Sequence, residues 1–138
     1  MSEHPAPADG MTGLLLGFLD ALRKDIQEAL PGSCSFMHIK VLAIVDRMKE
    51  PSMSQVAEEL KITSPGATMI ADKLVESGEL ERLNDPADRR VVRLKIAAAG
   101  RQTLQRGIGL IRTSVEAKMA LLTKAEQEKL ASLLKKLI

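Results

Sequence analysis

Two arginines, Arg89 and Arg90, directly follow a turn cluster, Asn84-Asp85-Pro86-Ala87-Asp88. A guanidinium at the tip of a hairpin is always charged and slender enough to enter the minor groove of duplex DNA, where narrow A·T tracts concentrate negative potential. Asp88, two residues before Arg90, can pair with that guanidinium and fix its direction without touching DNA. Upstream, Thr63 fits a helix N-cap and Pro65 falls in the first turn, where a missing N–H costs nothing. The stripe Ala67, Ile70, Ala71 and Leu74 turns that helix inward and leaves Gly66, Thr68, Met69, Asp72, Lys73 and Glu76 outward. Thr63, Ser64, Pro65, Gly66, Thr68, Met69 and Lys73 are therefore candidates for a base- and phosphate-facing surface. Gly66 permits close approach of the backbone, Thr68 offers a hydroxyl and a methyl, and Lys73 meets a phosphate as a point charge.

Other chemistry is poorly supported. Asp72, Glu76, Glu79, Glu81 and Asp85 spread over a helix face, a turn and a strand, with no partner His, phosphate loop or nucleophile motif, so no enzyme is expected. Cys34 has no basic neighbour in sequence and reads as an inert small hydrophobe. Cys34 and His38 stand four apart, but a zinc site needs about four ligands. The chain has only His4 and His38 to offer. No metal or cofactor is expected.

The elements that must position the arginines follow from periodicity. Leu15, Phe18, Leu19, Leu22 and Ile26 mark a first helix, stopped by Pro31-Gly32. A second is expected from Phe36 to Lys49. Ser52 to Gln55 fits a capping box that opens a third. The helix from Thr63 is the fourth, ended by Gly78. The period then changes to two: Glu79 to Leu83 is extended, and Val92, Leu94 and Ile96 alternate with Arg93 and Lys95. Two strands joined by a turn after two short helices make a wing. A long helix begins near Ala98, and Thr123 with Glu126 caps a last one carrying Leu130, Leu133, Leu134 and Leu137. The fold class is mainly α with a small β wing (α+β), a winged helix-turn-helix flanked by N- and C-terminal dimerisation helices. The expected division is a disordered tail over 1–10, an N-terminal dimerisation helix over 11–34, a DNA-binding domain over 35–98 and C-terminal dimerisation helices over 99–138.

The 138 residues are 45% hydrophobic and 28% charged, the balance of a folded soluble chain. Two Phe are its only aromatics, which argues against stacking on single-stranded bases. No apolar run reaches membrane length and no signal peptide is visible, so a cytoplasmic protein is expected. Charge is uneven: Glu50 to Asp88 holds 3 basic and 9 acidic residues, whereas Arg89 to Ile138 holds 12 basic and 3 acidic. A positive footprint for phosphates starts at the wing. The basic residues of the last two helices read as a solvated face.

From about Ser35 to Gly100 the sequence resembles the MarR family of bacterial and archaeal regulators. The motifs are Met53-Ser54-Gln55-Val56-Ala57-Glu58-Glu59-Leu60, then Asp72-Lys73-Leu74-Val75-Glu76-Ser77-Gly78, then Asp85-Pro86-Ala87-Asp88-Arg89-Arg90. The resemblance implies a homodimer on a palindromic double-stranded DNA operator, a repressor of transcription, with Asp88, Arg89 and Arg90 as wing residues. It implies an interface built from the first, fifth and sixth helices. The apolar faces of Leu15, Leu19 and Leu22 and of Leu130, Leu134 and Leu137 fit that role, since one small winged domain could not cover them. It further implies release by a small aromatic or phenolic effector, with Phe36, His38 and Ile39 lining its cleft. The chain departs from the family pattern at Met69, where Arg is common, at Ala97, where a capping Thr is usual, and at His38, where Gln is common. With an acidic helix-turn-helix, these departures predict wing-dominated DNA binding. The same acidity motivates an alternative, a winged-helix protein-interaction module with weak or no DNA binding.

Overall fold

The computed structural model describes residues 10–138. The tail expected over residues 1–10 lies, apart from Gly10, outside the described residues. Helices α1 (Met11–Ala29), α2 (Phe36–Met48), α3 (Met53–Leu60) and α4 (Ser64–Glu76) are followed by strands β1 (Leu80–Asn84) and β2 (Val92–Ile96), then by α5 (Ala98–Met119) and α6 (Lys124–Leu137). This is a winged helix-turn-helix with flanking helices.

The chain divides into two compact units, one of residues 30–109 and the other of the two ends of the chain. In the central unit, side chains set the starts of α2, α3 and α4. Ser35 accepts from the His38 N–H, and Ser52 accepts from the Gln55 N–H, each in a reciprocal capping box. Thr63 accepts from the Gly66 N–H. Each bond occupies a backbone donor that would otherwise be unpaired at a helix start. Lys61, in the left-handed region at φ 55°, closes α3 and makes the turn into α4. Gly78, at φ 77°, ends the segment after α4.

The core of this unit is aliphatic, as the near absence of aromatics required. Val41, Leu42 and Val45 of α2, Val56 of α3, Ala67 and Ala71 of α4, and Leu94 of β2 have no exposed surface. Leu80 on β1 and Leu74 on α4 are almost as deep. The strands are antiparallel, with Leu80 opposite Ile96, Arg82 opposite Leu94 and Asn84 opposite Val92. One face of the wing thus closes the core. A third line of pairing was not foreseen. The Leu94 N–H donates to the Pro51 carbonyl at 2.9 Å, and Ser52 bridges to Arg93, so the segment before α3 lies along β2.

Close approaches at Glu79 and Ile39 hold the first half of α5, the part within this unit, in place. The Ala97 N–H donates to the Glu79 carbonyl at 3.0 Å, and Thr103 Oγ1 donates to Glu79 Oε1 at 2.6 Å. A Cβ at Gly100 would collide with that same Glu79 carbonyl, and one at Gly107 would collide with Ile39 of α2.

In the other unit, Thr123 and Glu126 form the capping box of α6, and Gln127 Nε2 donates to the Met119 carbonyl at 2.9 Å across the α5–α6 turn. Lys118 pairs with Asp25 of α1 at 2.8 Å. Much apolar surface stays uncovered there, including Leu15, Leu16, Leu19, Leu134 and Leu137. No described helix is long and apolar enough to cross a membrane.

The glycines of α5 give a test by urea unfolding at fixed protein concentration. Gly100→Ala forces the helix off the Glu79 carbonyl, a backbone atom that cannot move aside, and is expected to cost about 3 kcal/mol. Gly109, whose Cβ would meet nothing within 4 Å, should instead gain up to about 1 kcal/mol on replacement by Ala, the difference in helix propensity.

Candidate nucleic-acid interface

The wing is organised around a carboxylate. Asp85 Oδ1 accepts from the backbone N–H of Ala87 at 2.8 Å and of Asp88 at 3.2 Å. This is an Asx turn, which Pro86 favours by fixing its own φ. Asp85 Oδ2 accepts from Arg93 Nε at 2.7 Å, and Arg93 Nη1 donates to the Glu50 carbonyl at 3.1 Å. Arg93 thereby ties the wing turn, the second strand and the entrance to α3 together. The hairpin is closed by the Asp85 N–H donating to the Val91 carbonyl at 3.2 Å and the Val91 N–H to the Asp88 carbonyl at 3.1 Å.

On that base sits the pair read from the sequence. Arg90 Nε donates to Asp88 Oδ1 and Arg90 Nη2 to Asp88 Oδ2, both at 3.1 Å. The Arg90 N–H also donates to Asp88 Oδ1, at 3.0 Å. This fork fixes the plane of the guanidinium, while the Arg90 side chain remains 90% exposed. Arg89 is exposed beside it and has no side-chain partner among the described residues.

Both wing carboxylates stay ionised easily. The Ala87 N–H and the Arg93 side chain hold the Asp85 carboxyl below the usual carboxylate range. The Arg90 side chain and then its N–H do the same for Asp88.

Helix α4 presents the other candidates. Thr63, Ser64, Pro65, Met69 and Lys73 are exposed, and Gly66 and Thr68 are half-buried. Thr68 Oγ1 donates to the Ser64 carbonyl at 2.9 Å, so its hydroxyl is engaged within the helix. Asp72 forms an ion pair with Arg82 of β1. A concave surface of about 350 Å³ joins the start of α3 to the wing, lined by Ser52, Ser54, Thr68, Arg82, Arg90 and Val92 among others. The structure thus brings Thr68 and Arg90 to one concavity.

The residues expected around an effector lie differently from one another. Phe36 is exposed, with the Lys40 ammonium 5.9 Å from its ring centroid. The His38 ring accepts from the Ser35 N–H at 3.4 Å as part of the α2 cap. Ile39 is buried at the Gly107 crossing. Burial, with Glu79 adding to it, pushes the Cys34 thiol up, the direction of an unreactive cysteine.

Arg82 and Arg93 were not singled out from sequence. Arg93 could have been: Asn84 pairs with Val92, so Asp85 and Arg93 are diagonal neighbours at the foot of the hairpin. Arg82 carried no such signal, because its partner Asp72 is on a separate element.

Depressed carboxyls stabilise the wing fully above the ordinary carboxylate pKa of about 3.9, and that contribution is lost as pH falls through their lower folded values. Carboxyl NMR should therefore show Asp85 and Asp88 titrating below about 3.9, with the Ala87 and Arg90 amides moving alongside. Arg93→Ala should raise the Asp85 value and speed hydrogen exchange at the Val91 amide about tenfold, leaving core amides of α2 unchanged.

Residues 35–91 match the family model described as the MarR family. YpoP, an HTH-type transcriptional regulator of Bacillus subtilis, is 28% identical over 95 residues, covering 69% of this chain and 67% of YpoP. The reduced form of MarR from Escherichia coli superposes with a TM-score of 0.84 at 23% identity, covering 95% of this chain and 98% of that one. A cysteine-to-serine mutant of the same MarR, complexed with operator DNA, gives 0.76 at 24% identity over 91% of both chains. A Mycobacterium tuberculosis MarR family protein in complex with salicylic acid gives 0.74 at 21% identity, covering 97% of this chain and all of that one. These likenesses extend the match in fold to nearly the whole chain, and its segment 35–91 is similar to the MarR family.

Proposed function

We propose that this chain is a homodimeric, sequence-specific DNA-binding regulator, a repressor that acts in the cytoplasm on a palindromic operator. The observation that carries the reading is the Arg90 guanidinium, held by both oxygens of Asp88 on a braced hairpin and otherwise open to solvent. An arginine fixed in this way loses little freedom on entering a minor groove. Helix α4 would lie in the major groove, with Thr63 to Lys73 toward the bases and phosphates, and Arg89 would meet the backbone. The MarR mutant solved on operator DNA supports this arrangement by its likeness in fold.

The dimer reading rests on the uncovered leucines of the terminal helices. Leu15 (49% exposed), Leu19 and Leu134, with Leu137 (75%), form apolar surface that water disfavours. Covered by a second copy, residues 11–34 and 99–138 would join two domains of residues 35–98, with the two α4 helices about 34 Å apart. A small aromatic or phenolic effector, as suggested by the relative in complex with salicylic acid, would meet Phe36 before His38 or Ile39, the former engaged in a cap and the latter buried.

The acidic stretch from Glu50 to Asp88 favours a second reading, a winged-helix module that binds protein instead of DNA. Several of those acids are paired, however: Asp72 with Arg82, Asp85 with Arg93, Asp88 with Arg90 and Glu59 with Arg47. The field they present to DNA is weaker than their number suggests.

A salt series on duplex DNA separates the two. The regulator should bind at low salt and lose affinity along a straight line in log salt, with a slope set by several phosphates. A protein-binding module should not bind even at low salt. On a retained operator, Arg90→Ala should weaken the dimer about a hundredfold, since two arginines are lost, while Met69→Ala, which loses one apolar contact per half-site, should cost about fifteenfold. Sedimentation should give twice the 15.0 kDa chain mass, falling to the monomer in Leu19→Glu.

A further inference from the structure

Helix α4, residues 64–76, contains no Arg, Asn, Gln or His. Arg or Lys grips a guanine edge and Asn or Gln an adenine edge with two hydrogen bonds, and of these this helix has only Lys73, near its C-terminal end and away from the first turns that meet base edges. Its polar groups are largely engaged. Thr63 Oγ1 accepts from the Gly66 N–H at 3.3 Å, and Thr68 Oγ1 donates to the Ser64 carbonyl at 2.9 Å. Asp72 is held by Arg82. At the outward face stands Met69, 61% exposed, an unbranched thioether in water where nothing of the central unit covers it. Gly66 keeps the surface low on one side of it. Thr68, with its hydroxyl turned to its own helix, has its methyl left to offer.

We propose that α4 reads thymine by its C5 methyl, with Met69 as the specificity-determining residue and Thr68 beside it. The major-groove edge of an A·T pair is the only one carrying a methyl group, and an apolar side chain distinguishes it by burying that methyl. A flexible thioether follows the methyl without needing the strict geometry of a hydrogen bond. Lys73, four residues on, adds charge toward a phosphate and no base preference. The inference rests on the DNA-binding role proposed above.

The test uses the full chain. Duplexes retained from a random pool are sequenced, and each thymine of the recovered half-site is replaced in turn by deoxyuridine, which removes only the methyl. At one or two positions per half-site the replacement should weaken binding about fourfold, the worth of one buried methyl. Met69→Ala should still bind but lose that sensitivity, and Met69→Arg should shift the preferred pair at those positions toward G·C. Specific binding with no deoxyuridine effect at any position overturns thymine reading and leaves the regulator standing. A deoxyuridine effect that persists unchanged in Met69→Ala overturns the role of Met69. Failure to retain any DNA at low salt overturns both readings together.

Discussion

The Asp85 carboxylate is the constraint on which the candidate interface depends. A five-residue turn rich in Pro and Asp has no core of its own, and a loop without core is held only by hydrogen bonds. Asp85 supplies three of them, two to the backbone of the turn and one to Arg93. Arg93 carries the restraint on to the Glu50 carbonyl, at the entrance to α3. Only because this base is fixed does the Asp88–Arg90 fork have a definite direction. The ordering runs from turn chemistry to strand register to the aim of a guanidinium.

The same economy governs the helix-turn-helix. Its three helix starts are capped by Ser35, Ser52 and Thr63, which leaves few side-chain oxygens free for a partner. Two of its acids are matched with arginines from other elements, Glu59 with Arg47 and Asp72 with Arg82. What is left outward on α4 is small or apolar, apart from Lys73 and Glu76. The wing supplies charge with direction, and the helix supplies a shape. A minor groove narrowed by A·T pairs and a major groove lined by thymine methyls are two faces of one kind of sequence.

Much of this was legible in the chain because it is local. Caps, apolar stripes and the change of period near Glu79 depend on neighbours a few residues apart, and the six helices and two strands begin within a residue or two of where these signals place them. The Asp88–Arg90 pair is local too. What escaped notice depends on residues brought together by packing. The Glu79 carbonyl under Gly100, the Gly107 crossing over Ile39, the Pro51 carbonyl beside Leu94 and the Arg82–Asp72 pair join elements that the sequence keeps apart. The His38 cap on α2 is hidden for another reason: a histidine is an uncommon partner in a capping box.

In the proposed complex the wing arginine, not the helix, makes the main charged contact with DNA. Chemical footprinting on a retained operator tests it most directly. Hydroxyl radicals report on the minor groove and dimethyl sulfate on guanine N7 in the major groove. Minor-groove protection should be strong flanking each half-site and abolished in Arg90→Ala, with little guanine N7 protection under α4. Strong N7 protection under α4, with minor-groove cleavage unchanged by Arg90→Ala, would contradict it.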